Sequence, residues 1–95
     1  MSTLPPIDTP YMLDLLTRLL NTHSPTGYTE EAIAFVEQEL TAFPLQLSRT
    51  RKGALVARWQ GLAEDAPRAL TAHVDTLGAM VKEIKPDGRL NLTRI

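Results

Sequence analysis

Residues 70–81 have the sequence LTAHVDTLGAMV, in which a histidine and an aspartate follow an uncharged run. The uncharged run, residues 69–72, predicts a short strand in the interior of a sheet. His73 and Asp75 come directly after it, and residues two apart on an extended segment project to the same side. Open α/β sheets bind ligands beyond the carboxyl ends of their strands. His73 and Asp75 are therefore the candidate site residues.

The chemistry of this pair has two explanations. A neutral imidazole is a good zinc ligand, and a neighbouring carboxylate fixes its tautomer and orientation. A hydrogen-bonded structural histidine is the commoner explanation of an isolated H-x-D pattern. Because a catalytic zinc ion takes three protein ligands and a water molecule, His73 and Asp75 alone do not complete a site.

Two amphipathic helices are predicted on the N-terminal side. Thr9 is a candidate cap for the first helix, and Pro10 suits its first turn. Thr29 is a candidate cap for the second helix, and Glu30 and Glu31 suit the positive end of its dipole. Apolar residues fall on one face of each predicted helix: Met12, Leu15, Leu16, Leu19 and Leu20 in the first, and Ala32, Ile33, Val36 and Leu40 in the second.

Beyond Pro44 the apolar pattern changes to a period of two, which indicates strands. Residues 45–48 and 54–59 predict a hairpin, and residues 80–84 and 90–95 flank a turn at residues 85–88, KPDG. Two helices followed by four or five strands are typical of an α+β or an α/β half-structure, and we expect the α/β class with a mixed sheet. Because the last predicted strand runs to Ile95, we expect the chain to be part of a larger domain.

Composition narrows the function further. The chain has 95 residues, a net charge of −1 and no cysteine, which excludes a disulfide scaffold and a thiolate zinc site. The balanced charge predicts no nucleic-acid partner. No signal peptide or membrane-spanning run is apparent, so we expect no membrane partner and a cytoplasmic location.

The order of three motifs resembles the N-terminal part of the M42 family of metallo-aminopeptidases, the glutamyl-aminopeptidase and endoglucanase-M-like group. The first is the opening helix followed by SPTGYTEE at residues 24–31, and the second is the strand at residues 53–59. The third is AHVD at residues 72–75 followed by LGAMV at residues 77–81, with Asp87 and Gly88 beyond it.

The resemblance implies a fold and a chemistry. It implies the N-terminal part of an α/β/α metallopeptidase catalytic domain in residues 1–81. Residues 82–95 would begin an inserted β-rich dimerisation domain. His73 would bind one of two divalent metal ions, zinc or cobalt, and Asp75 would be the catalytic residue that supports it. The general base and the remaining ligands lie further along the family's chain, so we expect this fragment alone to be inactive.

The resemblance also implies a substrate class and an assembly. A metal-activated water would cleave peptide or small amide bonds in a homo-oligomer. The chain departs from the family at Thr76, where an acidic residue is usual. HVDTLGAMV instead resembles the branch associated with the osmoprotectant N-acetylglutaminylglutamine amide. The alternative is a small non-enzymatic α+β binding or interaction module, in which the H-x-D pattern is coincidental.

Overall fold

The computed structural model describes residues 3–95 and contains two helices followed by two separate hairpins. The helices are α1 (Thr9–Leu20) and α2 (Glu30–Leu40). The strands are β1 (Gln46–Arg49), β2 (Leu55–Arg58), β3 (Ala79–Ile84) and β4 (Leu90–Arg94). β1 pairs antiparallel with β2, and β3 pairs antiparallel with β4.

The cap of α1 differs from the prediction, whereas Thr29 lies at the predicted N-cap position of α2. Asp8 caps α1, because its carboxylate accepts a hydrogen bond of 3.0 Å from the Tyr11 N–H, and Thr9 is already helical. Thr29 precedes α2 but makes no side-chain capping bond, and Glu30 and Glu31 supply negative charge in the first turn of this helix. Pattern alone placed both helices correctly but did not distinguish Asp8 from Thr9, since both residue types cap helices.

Arg18 holds the two helices together. Its guanidinium donates to Asp14 in the same helix at 2.9 Å and to Glu39 of α2 at 2.6 Å. The same group lies over the Phe35 ring, 5.1 Å from its centroid. Tyr11 adds a hydrogen bond of 3.2 Å from its hydroxyl to Glu39. The junction therefore depends on charge as well as on apolar contact.

Arg49 attaches the first hairpin to α2. Its guanidinium, at the end of β1, donates to Glu37 at 2.6 Å and to Glu30 at 3.3 Å. In the second hairpin, the predicted turn is present, and the Gly88 N–H donates to the Lys85 carbonyl at 2.9 Å. The boundary predicted between residues 81 and 82 falls inside β3, where the strand register shifts; as a domain boundary it stays a prediction.

The predicted mixed sheet is wrong. Residues 69–72 form no strand, and Leu70 is fully exposed. A strand needs a neighbour for its backbone hydrogen bonds, and within residues 3–95 this segment has none. The absence of charged residues indicates that the segment is apolar, but it does not indicate whether another strand lies beside it. The coarser prediction, helices followed by strands, is confirmed.

Little of the described chain is buried. Among residues 3–95, the only buried residues are Ala32 and Ser24. The accessible surface is 8988 Å², against about 5400 Å² for a folded monomer of this mass. The radius of gyration is 18.5 Å, against about 12 Å for a compact domain of this length. In the described part of the chain, no helix is long and apolar enough to span a membrane.

The Arg18–Glu39 contact predicts how the helix pair responds to acid. The Arg18 hydrogen bond lowers the pKa of Glu39, with a smaller contribution from Tyr11. Because the folded-state pKa lies below the unfolded one, the contact stabilises the helix pair above the unfolded pKa. This contribution is lost as the pH falls through the folded pKa. An NMR titration of the side-chain carboxyl groups should show that the pKa of Glu39 lies below the ordinary value of a glutamate.

Arg18→Gln should return the pKa of Glu39 toward its ordinary value, because the charged donor is removed. Arg68→Gln, which changes an exposed loop arginine, is the matched control and should leave Glu39 unchanged. An identical Glu39 titration in the Arg18→Gln variant and the original chain would contradict this account.

Candidate metal centre

The structure brings the two predicted site residues into direct contact. His73 and Asp75 lie on the irregular segment between β2 and β3, and the His73 Nδ1 is 2.7 Å from the Asp75 Oδ1. The His73 side chain is 83% exposed, so its ring edge is open to solvent. The two-residue spacing that suggested a shared site therefore produces a hydrogen-bonded pair.

The pair defines which ring nitrogen is free. Hydrogen bonds from His73 and, to a lesser extent, Thr26 lower the pKa of the Asp75 carboxyl. An ionised carboxylate only accepts hydrogen bonds, so the proton of a neutral His73 ring lies on Nδ1. The lone pair is then on Nε2. Metal-binding histidines commonly have this arrangement, with one nitrogen held by a carboxylate and the other on the metal.

Thr26 contacts the second oxygen of Asp75. Its hydroxyl donates to the Asp75 Oδ2 at 3.1 Å across 49 residues of sequence. Thr26 lies in a turn in which the Tyr28 N–H donates to the Pro25 carbonyl at 2.8 Å. Gly27 has φ +88°, the left-handed conformation that the third position of a type II turn requires. Sequence reasoning assigned this turn no part in the site.

The same turn is joined to the strand-like segment around Thr76. The Ser24 carbonyl accepts hydrogen bonds from the Thr76 N–H at 2.7 Å and from the Thr76 hydroxyl at 3.2 Å. Pro25 and Thr76 form an isolated parallel bridge. Ser24 is only 4% exposed. We call this contact the Ser24–Thr76 junction.

Gly78 permits the close approach at the junction. A Cβ atom at position 78 would lie 2.7 Å from the Pro25 Cβ, closer than two carbons can approach without movement. The Gly78 carbonyl also accepts a hydrogen bond of 3.3 Å from the Ile95 N–H, which links the junction to the end of β4. The glycine after H-x-D therefore allows the turn to reach the site.

The donor set of the described residues is incomplete for a metal. Among residues 3–95, no group of three or more His, Cys, Asp or Glu side chains could hold an ion. The other histidine, His23, lies in an exposed position beside Ser24. The chemistry of the His73–Asp75 pair fits one ligand position, a ring nitrogen held by a carboxylate, and further ligands must come from outside these residues.

Comparison with known proteins shows what part of this chain is similar to. Residues 53–95, which contain both His73 and Asp75, match the family model of the M42 glutamyl aminopeptidases. The protein named Putative aminopeptidase YhfE, from Bacillus subtilis (strain 168), is 47% identical over 83 residues, which is 87% of this chain. The match covers 24% of that protein, so the chain spans about a quarter of the length of this curated relative. The predicted resemblance to the M42 aminopeptidases is therefore supported by similarity over residues 53–95 and by one relative named as an aminopeptidase.

The close approach at Gly78 predicts the effect of adding one methyl group. Gly78→Ala should push Pro25 away and weaken the Ser24–Thr76 junction by about 1–3 kcal/mol, the usual cost of overpacking. Amide hydrogen exchange should show this as faster exchange of the Thr76 N–H, which the junction protects.

Two controls separate this effect from a general loss of structure. Gly61→Ala adds a methyl group where the nearest heavy atom is 3.6 Å away, and it should leave Thr76 exchange unchanged. Ser24→Ala keeps the carbonyl that accepts both bonds and should also preserve the junction. Unchanged Thr76 exchange in Gly78→Ala would show that the turn does not lie against Gly78.

Proposed function

We propose that this chain is part of a metal-dependent aminopeptidase or amidohydrolase of the M42 type. The observation that carries the proposal is the His73–Asp75 hydrogen bond of 2.7 Å, located inside the segment that matches the family model. The match supplies the class of reaction. The pair supplies a group suited to that reaction at a surface that ligands can reach.

Two side chains have distinct parts in the proposed site. His73 presents Nε2 as a ligand to a divalent metal ion. Asp75 accepts the Nδ1 proton, which fixes the tautomer and makes the ring a better donor. When bound, such a metal activates water and polarises the carbonyl of the scissile bond. The residues that hold the proton during the reaction and complete the metal site lie outside residues 3–95.

The finer features of the proposal come from the resemblance. They are a pair of divalent ions, zinc or cobalt, a peptide or small amide substrate, assembly into a homo-oligomer and a cytoplasmic location. Thr76, in place of an acidic residue, favours a substrate other than ordinary peptides. It also changes the site, because the Thr76 hydroxyl donates to the Ser24 carbonyl and an ionised acid has no proton to donate.

The alternative, a self-contained binding module with a coincidental H-x-D pattern, is not favoured by burial. A stable small domain needs a core, and among residues 3–95 no large side chain is fully buried. The excess of exposed surface is that of elements that pack against further protein. The aminopeptidase interpretation provides such a context, since the curated relative is about four times as long.

The direct test replaces the proposed ligand in the full-length gene product. His73→Ala should lower the bound metal and lower the hydrolysis of an aminoacyl nitroanilide together, because one ligand is lost. Asp75→Asn should weaken metal binding by about 10- to 100-fold, the usual effect of losing the carboxylate behind a metal-bound histidine. Elemental analysis and metal titration measure both effects.

His23→Ala is the matched control, because it removes the other histidine of the chain from an exposed position. It should keep the original metal content and rate. Unchanged metal stoichiometry and activity in His73→Ala would remove His73 from the site and overturn the proposal.

The 95-residue chain tested alone should hydrolyse no aminoacyl nitroanilide, with or without added zinc or cobalt. Its described residues contain a single histidine–carboxylate pair where catalysis needs three or more ligands and a base. Isothermal titration should likewise show no tight zinc binding. Metal-dependent turnover by this chain would show that the site is complete within it.

A further inference from the structure

We propose that Thr26 is a positioning residue for His73, acting through Asp75 from a turn that is 49 residues distant in sequence. The inference rests on the proposed function for its purpose, since positioning matters if His73 binds a metal. Its physical content, the control of a ring tautomer by a remote hydroxyl, stands on the geometry alone.

Two hydrogen bonds restrict the rotation of the Asp75 carboxylate. Rotation about the last side-chain torsion of an aspartate is broad and weakly restricted. One hydrogen bond, from His73 to Oδ1 at 2.7 Å, leaves the carboxylate plane free to swing about that contact. The second bond, from the Thr26 hydroxyl to Oδ2 at 3.1 Å, holds the other oxygen. Together they fix the plane that the His73 ring must meet.

Backbone contacts on both sides of Thr26 hold its hydroxyl in place. The Ser24–Thr76 junction holds the chain just before Thr26 and just after Asp75, so the donor and acceptor cannot drift apart independently. The turn hydrogen bond from Tyr28 to Pro25 closes the other side of Thr26. Thr26 is therefore supported on both sides, as a positioning group must be.

The side chains of His73 and Asp75 are both exposed to solvent. The His73 side chain is 83% exposed and the Asp75 side chain 44% exposed, so surrounding side chains do little to hold the ring. Among the described residues, hydrogen bonds rather than burial must set its orientation. The Thr26 hydroxyl is the only side-chain donor to the Asp75 Oδ2 in this part of the structure. Removing this hydroxyl should therefore change which nitrogen of the His73 ring carries the proton.

The test measures the His73 tautomer in the metal-free full-length gene product by nitrogen NMR. The spectra are recorded at alkaline pH, so that the two tautomers of a neutral imidazole are compared. The original chain should show the proton mainly on Nδ1. Thr26→Val, which keeps the shape and removes the hydroxyl, should shift the ratio of tautomers toward Nε2 by about threefold, the effect of one lost hydrogen bond.

Thr26→Ser is the conservative variant and should restore the original ratio, since it returns the hydroxyl. Thr76 amide exchange in each variant reports whether the Ser24–Thr76 junction is intact. A shifted ratio with an intact junction, rescued by serine, supports positioning. An unchanged ratio in Thr26→Val with an intact junction overturns it. A shift that occurs only where the junction is also lost overturns it too, because Thr26 would then have a general structural role.

This experiment separates the inference from the proposed function. Retained metal and activity in His73→Ala would refute the metal role and leave the tautomer result untouched. Conversely, an unchanged ratio of His73 tautomers in Thr26→Val would refute the positioning role of Thr26, and His73 would remain the proposed metal ligand. In the full-length gene product, Thr26→Val should weaken metal affinity more than Thr26→Ser does.

Discussion

The carbonyl oxygen of Ser24 connects the N-terminal half of this chain to the segment that contains the candidate site. It accepts two hydrogen bonds from Thr76, across 52 residues of sequence, in a position that is almost completely buried. A buried carbonyl that lost these partners would have a substantial desolvation cost, so the contact is strongly specified. The helix pair and the hairpins depend mainly on closer neighbours, and this junction sets where His73 and Asp75 lie relative to them.

The geometry of the candidate site follows from this one constraint. Gly78 lets Pro25 approach, Pro25 aligns with Thr76, and the turn then places the Thr26 hydroxyl against Asp75. Asp75 in turn holds the ring of His73 by Nδ1. The SPTG turn and the HVDTLG segment, of which the second lies within the residues that match the M42 family model, are therefore one structural unit. Their joint presence in a sequence has a physical reason, since each completes the hydrogen bonding of the other.

Features governed by near neighbours were predictable from the sequence. Helical periodicity located α1 and α2, and the KPDG turn located the second hairpin. The contact between His73 and Asp75 followed from their spacing of two residues. The predicted strand at residues 69–72 was wrong because a strand depends on a partner that local pattern does not specify. Thr26 was missed for the same reason, because no local pattern connects it to Asp75.

The most direct test of the account is the proximity of the SPTG turn to Gly78 in solution. The isotope-labelled full-length gene product, measured by nuclear Overhauser spectroscopy, should show a strong cross-peak between a Gly78 Hα and the Pro25 Hβ protons. The contact is expected because a Cβ at Gly78 would lie 2.7 Å from the Pro25 Cβ. Its presence, with a protected Thr76 amide, is the result the account predicts. Its absence in a chain whose α1 and α2 are formed would contradict the junction on which the candidate site depends.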